Sequence, residues 1–413
     1  MTARSRSRPV RKSTLDQDRK LDRLAGVRNV AITAFVFWTV MLGTTVPTPL
    51  YPLYEQSFGI VPVEITVLFG VYALGVVVGL LTLGRLSDQI GRKPVLAIAL
   101  LLSALAASLF LVSDSLGMLL AARVISGFSA ALATGAGTAA IAEQLPERRK
   151  WLGPVIALLA NMGGLASGTM ISGLLAQWAT HPLRLSWVVD LALIAASLVG
   201  LTVVAETVRR GRATFHLERL RVPHEIRGDF IRAAATGGAG FGVLGVLTSV
   251  TGILLGVELG KHDPALTGFV VFLGFVSTAA GQLIDRRLPP RLSLPLACVA
   301  LIIGAALIAS AVLGAALPPL LAAAVVVGLG TGSAVSAGLR AIATGVPPER
   351  RGGAFSALFA ILYTLLALPA IGVGVVIEFA GLRWAGGIFT LVVALLAAGV
   401  LVSLARRRQP VHA

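Results

Sequence analysis

Residues 84–93 read Gly84-Arg85-Leu86-Ser87-Asp88-Gln89-Ile90-Gly91-Arg92-Lys93. This polar decapeptide separates two apolar runs, near 65–85 and 94–112. Each run is long enough to cross a hydrocarbon core of about 30 Å as a helix. The segment between them therefore reads as a tight connection at a membrane surface. Gly84 lets a helix end approach its neighbour closely. Asp88 puts a carboxylate at the membrane edge, where it can face a helix N-terminus or an arginine. Gly91 permits a sharp turn, and Arg92 and Lys93 supply fixed positive charge.

The rest of the 413-residue chain repeats this alternation. Hydrophobic residues make up 56% of it and charged residues 13%, about half the charged share of a soluble domain. A soluble fold cannot hide that much apolar surface, and disorder requires low hydrophobicity. Twelve runs qualify as spans. The first six lie near 30–50, 65–85, 94–112, 116–141, 152–176 and 187–205. The second six lie near 233–257, 266–284, 292–313, 317–341, 354–378 and 384–404. They are rich in Leu, Val, Ala and Gly rather than alternating, which points to helices and not barrel strands. The first run is too long for a signal-peptide core and reads as a membrane helix.

Charge tests the count. With both termini in the cytoplasm, 31 of the 35 Lys and Arg residues fall in inner segments. Outer loops hold only Arg184, Lys261 and Arg383, and Arg123 lies within a helix. One missed span would invert every later loop and destroy this asymmetry. The expected organisation is a basic N-terminal tail (1–29), a six-helix bundle (30–205), a cytoplasmic linker (206–232), a second bundle (233–404) and a short tail (405–413). The basic excess reads as anchoring at an anionic leaflet, with no role for nucleic acid.

The two bundles carry matching landmarks. Gly281-Gln282-Leu283-Ile284-Asp285 falls between spans eight and nine, as Gly84 to Asp88 falls between spans two and three. Pro146-Glu147-Arg148-Arg149 matches Pro348-Glu349-Arg350-Arg351 at nearly the same offset. Duplicated six-helix halves are a transporter architecture with the solute site between them.

The decapeptide resembles the cytoplasmic signature of the major facilitator superfamily, except that Gln89 stands where a basic residue is usual. The second copy keeps Gly281, Leu283, Asp285 and Arg286 but loses the Gly-Arg ending. The resemblance implies an all-α fold of twelve transmembrane helices in two six-helix pseudo-repeat halves. It also implies that Gly84, Asp88, Gly91, Arg92, Lys93 and Asp285 form a latch that loosens as the protein cycles, and that a monomer suffices. Arg123-Val-Ile-Ser-Gly127 resembles the fourth-helix arginine motif of proton-exchanging members, in which the arginine faces the central cavity. The fifth helix partly resembles an exporter signature through Gly164, Gly168 and Gly173, with Thr169 and Ser172 departing from it.

Arg123 would lie about 10 Å deep, where an unpaired arginine costs at least a few kcal/mol. Snorkelling toward the outer interface is its structural alternative. No acid lies between Val30 and Leu50, so Asp190 in the sixth span is the candidate proton carrier. Glu143 and Glu378 read as boundary charges. Trp38, Tyr72 and Tyr363 sit mid-helix and are candidate cavity aromatics. Prolines 47 and 49 in the first helix, and Gly237, Gly238, Gly240, Gly242, Gly245, Thr248, Ser249 and Thr251 in the seventh, suit a rocking motion.

These residues exclude other classes. There is no P-loop for ATP. One cysteine, Cys298, and five scattered histidines offer no metal-ligand spacing, and no cofactor site is evident. No histidine lies inside a span and no intramembrane protease motif occurs, so the chain is not expected to be an enzyme. The reading is a secondary transporter in the cell membrane, coupled to protons and exporting drugs or small amphipathic solutes. Uptake of a sugar or organic acid, and a receptor or scaffold without transport, are the alternatives.

Overall fold

A computed structural model describes residues 10–208, 226–347 and 351–407. The side chains before Gly26, linker residues 209–225, the Pro348-Glu349-Arg350 part of the repeat and the tail 408–413 lie outside the described residues.

The described chain is helical and holds twelve helices long and apolar enough to span a membrane. The first span combines α1 (Val10–Thr45), a 3-10 turn at Thr48–Leu50 and α2 (Tyr51–Phe58). Next come α3 (Pro62–Leu83), the short surface helix α4 (Leu86–Ile90), α5 (Arg92–Leu111), α6 (Leu116–Gln144), α7 (Gly153–Trp178) and α8 (Pro182–Thr202). The second series is α9 (Arg227–Val257), α10 (Pro264–Asp285), α11 (Pro290–Leu313), α12 (Leu317–Gly345), α13 (Arg351–Ala380) and α14 (Leu382–Arg407). Six of these begin with proline in the first turn of an α-helix that spans, where its missing N–H costs nothing.

Several helices outrun their apolar stretches. α9 starts at Arg227 because Asp229 and Arg232 pair one turn apart at 3.0 Å and carry the helix past the apolar boundary. α1 is helical from Val10, through a stretch with no Pro and no Gly before Gly26. α8 starts at Pro182, five residues before the apolar run, so Asp190 sits eight residues inside it rather than about one turn.

The two series pack by the same plan. The pairs α1–α7, α1–α6, α3–α6, α5–α6 and α5–α8 recur as α9–α13, α9–α12, α10–α12, α11–α12 and α11–α14. Two further pairs, α3–α13 and α7–α10, join one half to the other. Their close approaches gather at one end. Gly173 of α7 lies where a Cβ would be 2.7 Å from the Pro264 carbonyl. Gly374 of α13 lies against Thr66 of α3, and Gly252 of α9 against Pro52 of α2. All are near the loops at 58–62, 178–182, 257–264 and 380–382, and opposite the end that carries α4. The halves are therefore sealed at the end remote from α4.

The glycines of α7 divide their work. Gly164 and Gly168 seat α7 on α1, against the carbonyls of Trp38 and Leu42, while Gly173 meets the second half. A helix seam in lipid gains little from the hydrophobic effect and depends on such close backbone contact. Gly168→Val would set carbons onto the Leu42 carbonyl and the Thr45 hydroxyl. We expect it to cost about 1–3 kcal/mol or more and to lower the unfolding temperature of the detergent-solubilised protein. Gly163→Ala, whose Cβ would meet only Trp38 at 3.7 Å, should leave that temperature unchanged.

Candidate functional site

Arg123 projects from α6 into the first half, only 1% exposed. Its Nη1 donates to the Thr44 carbonyl at 2.7 Å, its Nη2 to the Tyr51 hydroxyl at 2.5 Å and its Nε to the Leu68 carbonyl at 3.3 Å. The rings of Tyr72, Tyr51 and Phe69 stand 5.0, 5.9 and 6.0 Å from the guanidinium carbon. The charge is thus met by carbonyl dipoles and aromatic faces. The side chain turns inward onto α1, α2 and α3 and does not snorkel. The Thr44 carbonyl is available because α1 breaks there. Pro47 and Pro49 lack the N–H groups that would meet the Gly43 and Thr45 carbonyls in a continued helix, and as the chain passes into the 3-10 turn Thr48 is carried off the Thr44 carbonyl as well.

Tyr72 and Tyr363 come together across the α3–α13 seam. The Tyr72 hydroxyl lies against Thr44 and Tyr363 without completing a hydrogen bond to either. Tyr363 also packs edge-on to Phe241 of α9 at 6.1 Å. Trp38 does not join this cluster. It lies further along α1, stacked on Phe35 at 5.6 Å, and donates to Ser167 of α7 at 3.2 Å.

Asp190 is 1% exposed, and neither carboxylate oxygen has a hydrogen-bond partner. It fits between α8 and α1 because Gly43 has no side chain: a Cβ there would be 2.9 Å from Asp190 Oδ2 and 3.3 Å from Ser103 Oγ of α5. On either side of it the α8 face is tied down, by Trp187 donating to the Tyr54 hydroxyl at 2.9 Å and Ser197 donating to Thr39 at 2.9 Å.

The decapeptide forms a charged cluster at the α4 end. Arg92 contacts Asp88 at 2.5 Å, the Ser87 hydroxyl at 2.6 Å and Glu143 at 2.8 Å. Glu143, read from the sequence as a boundary charge, is thus a partner of the motif. Gly91 has φ +107°, a region closed to most side chains, and a Cβ there would lie 2.5 Å from Glu206 Oε2. Gly84 ends α3 in ordinary helical geometry, with the Leu80 carbonyl where a Cβ would go.

Sequence reasoning missed Glu206. Its carboxylate accepts the first backbone N–H groups of α5, from Arg92 at 2.9 Å and Lys93 at 3.0 Å. Lys93 returns the contact, donating to the carbonyls of Thr202 and Val204 at the end of α8 at 2.7 and 2.9 Å. Thr207 donates to Glu143 at 2.6 Å. The start of the linker is therefore stapled to the signature. An acid at a polar-to-apolar boundary, close after a helix end, was the available signal.

The second copy is built differently. Asp285 is fully buried and pairs with Arg340 of α12, whose guanidinium also reaches the Asp285 carbonyl at 3.1 Å and Ser293 at 3.5 Å. Asp88, by contrast, has a side chain 57% exposed. Glu378 is exposed near the end of α13. Among the described residues no group of His, Cys, Asp or Glu is placed to hold a metal ion.

Burial pushes the Glu206 carboxyl up, but the N–H groups of Val208, Arg92, Lys93 and Thr207 outweigh it and hold the group below the usual glutamate range. A lowered folded value gives stability that is full above the unfolded value and lost as pH falls through the folded one. The α5–α8 staple should thus persist at neutral pH and open only in acid. The protection factors of the first α5 amides, exchange taken relative to the intrinsic rate at each pH, should fall at low pH in the wild type, and at every pH in Glu206→Ala. Slow exchange at neutral pH in that variant would refute the staple.

Comparison with known proteins agrees with this architecture. A family model described as Major Facilitator Superfamily matches residues 33–317. The inner membrane transport protein YnfM of Escherichia coli is 28% identical over 148 residues, 36% of each chain. The quinolone resistance protein NorA of Staphylococcus aureus is 26% identical over 152 residues, 36% of this chain and 39% of that one. The matched stretch thus spans less than half the length of these relatives. Twelve helices long and apolar enough to span and a family match over most of the chain make it a multi-pass membrane protein, and the chain belongs to the Major Facilitator Superfamily.

Proposed function

We propose that this chain is a proton-coupled exporter of small amphipathic solutes, acting as a monomer in the cell membrane with both termini in the cytoplasm. The observation that carries the reading is the seam where Tyr72 of one half meets Tyr363 of the other, one layer from the buried Arg123. Aromatic walls suit amphipathic organic solutes, which bring flat apolar surface and few hydrogen bonds. Trp38, further along α1 and facing Ser167, is a separate candidate contact for the solute. The name of NorA, quinolone resistance protein, is in keeping with export. The Lys and Arg asymmetry supports an α4 end that faces the cytoplasm. The halves are then closed toward the outside and the solute path faces the cytoplasm.

In this reading Arg123 holds the break in α1 against α3, and Asp190 carries the proton. Asp88, Arg92 and their neighbours form the latch. With the cytoplasmic side open, Arg92 is satisfied within its own half and Asp88 is left largely exposed. Closing that side would bring Asp88 against the second half.

Two outcomes test the reading. Proteoliposomes loaded with dansyl amide, a neutral fluorescent aromatic, should move it against its own gradient when a pH gradient is imposed, and a protonophore should stop this. Arg123→Ala should reduce the flux at least tenfold at equal protein level. Flux indifferent to the pH gradient would overturn proton coupling. Asp88→Asn should slow turnover several-fold with little change in dye affinity, and a normal turnover rate would remove the latch.

A further inference from the structure

One turn of α1 separates the buried guanidinium from the buried carboxylate. The Thr44 carbonyl accepts from Arg123 of α6 at 2.7 Å, while the preceding residue, Gly43, faces Asp190 of α8. The same turn reaches α7, because Thr45 Oγ1 donates to the Leu165 carbonyl at 2.8 Å. It reaches α5 through Ser103, which lies beside the Gly43–Asp190 contact. Four helices thus close on residues 43–45. Immediately after this turn the prolines interrupt α1, and Thr48–Leu50 packs against α7 of one half and α9 and α10 of the other.

The surroundings of Asp190 are uncharged. Among the helices packed on α8, α7 carries no charged residue at all. α5 carries only Arg92 and Lys93, both engaged at the α4 end, and the described side chains of α1 include only Arg28. On α8 itself Arg184 lies near the opposite end from Thr202 and does not pair with Asp190. Tyr54 of α2 is taken by Trp187. An Asp190 anion would find no cation on these helices beside it, and the Ser103 hydroxyl borders the same Gly43 contact.

We propose that Asp190 is a proton site walled off from the solute site, with Gly43 as its seat, and that the two sites communicate through the α1 turn 43–45. This rests on the proton-coupled reading above and specifies its route. The proton comes from bulk water and returns to it, and no electrons change hands. When Asp190 gives up its proton, the anion must draw in water or hydroxyl donors, and the wall that can give way is α1, which the prolines interrupt just past Gly43. Displacing that turn shifts the Thr44 carbonyl off Arg123 and pulls on Thr48–Leu50, the segment wedged into the outer seal. Proton and solute then act on the same turn without competing for one place.

Infrared titration of the full-length protein in lipid nanodiscs tests this directly. A carboxylic-acid C=O band should titrate with pH, vanish in Asp190→Asn, and still titrate under saturating dansyl amide. Gly43→Ala, whose Cβ would press on Asp190 Oδ2 at 2.9 Å, should move the midpoint of that band. If Gly43→Ala does not fold, Ser103→Ala should move it instead. Dansyl amide affinity should vary with pH in the wild type, and in Asp190→Asn should be flat and within about threefold of the wild type. No Asp190 band, or a tenfold loss of dye affinity in Asp190→Asn, would overturn the separate site. The infrared readout needs no transport. Lost pH-driven flux with an intact band sinks the exporter reading alone, and intact flux with no band sinks this inference alone.

Discussion

The bond from Arg123 to the Thr44 carbonyl resolves two problems at once. Lipid offers no hydrogen bonds, so an interrupted helix and an intramembrane arginine are each costly by themselves. Pro47 and Pro49 deny α1 the N–H groups it would need to continue, and the guanidinium needs oxygen acceptors. Each meets the other's need, and Tyr51 and the Leu68 carbonyl complete the set. α1, α2, α3 and α6 are held in one arrangement by that exchange. The close seating of α7 on α1 through Gly164 and Gly168 presupposes it, because α1 must be in place for those glycines to have anything to meet.

From there the logic runs outward to the seam between halves. Small residues let α7 meet α10 and α3 meet α13 at the sealed end. These ion pairs, by contrast, close on partners in their own half: Arg92 with Asp88 and Glu143 and Arg340 with Asp285 at the α4 end, and Arg383 with Glu258 at the sealed end. Apolar contact that can slide joins the halves, and directional ionic contact stiffens each one. That division suits rigid bundles that tilt against each other.

The sequence made the spans legible because hydrocarbon thickness fixes the length of an apolar helix. Helix ends were less legible, since polar residues such as Asp229 and Arg232 extend α9 beyond the apolar stretch. Arg123 stood out by its cost, but where its guanidinium turns depends on carbonyls freed 79 residues away. The partners of Glu143, Glu206 and Arg340 went unread because they lie 51, 114 and 55 residues distant. Trp38 was grouped with Tyr72 and Tyr363, yet it faces Ser167 instead. In a helix apolar on every side the pattern does not reveal rotation. Gly43 gave no signal at all, because a glycine that makes room for a carboxylate on another helix looks like any other small residue.

The two halves share a plan but have parted in chemistry. Asp88 lies at the surface and pairs with an arginine four residues on, so its contact can be exchanged at little cost in a wet, screened setting. Asp285 is buried, and its arginine comes from another helix, so breaking that pair would strand a charge. The first copy retains the Gly-Arg ending that supplies the close partner, and the second has lost it and recruited Arg340. The first copy thus keeps an exchangeable surface pair, while the second forms a buried clamp between two helices.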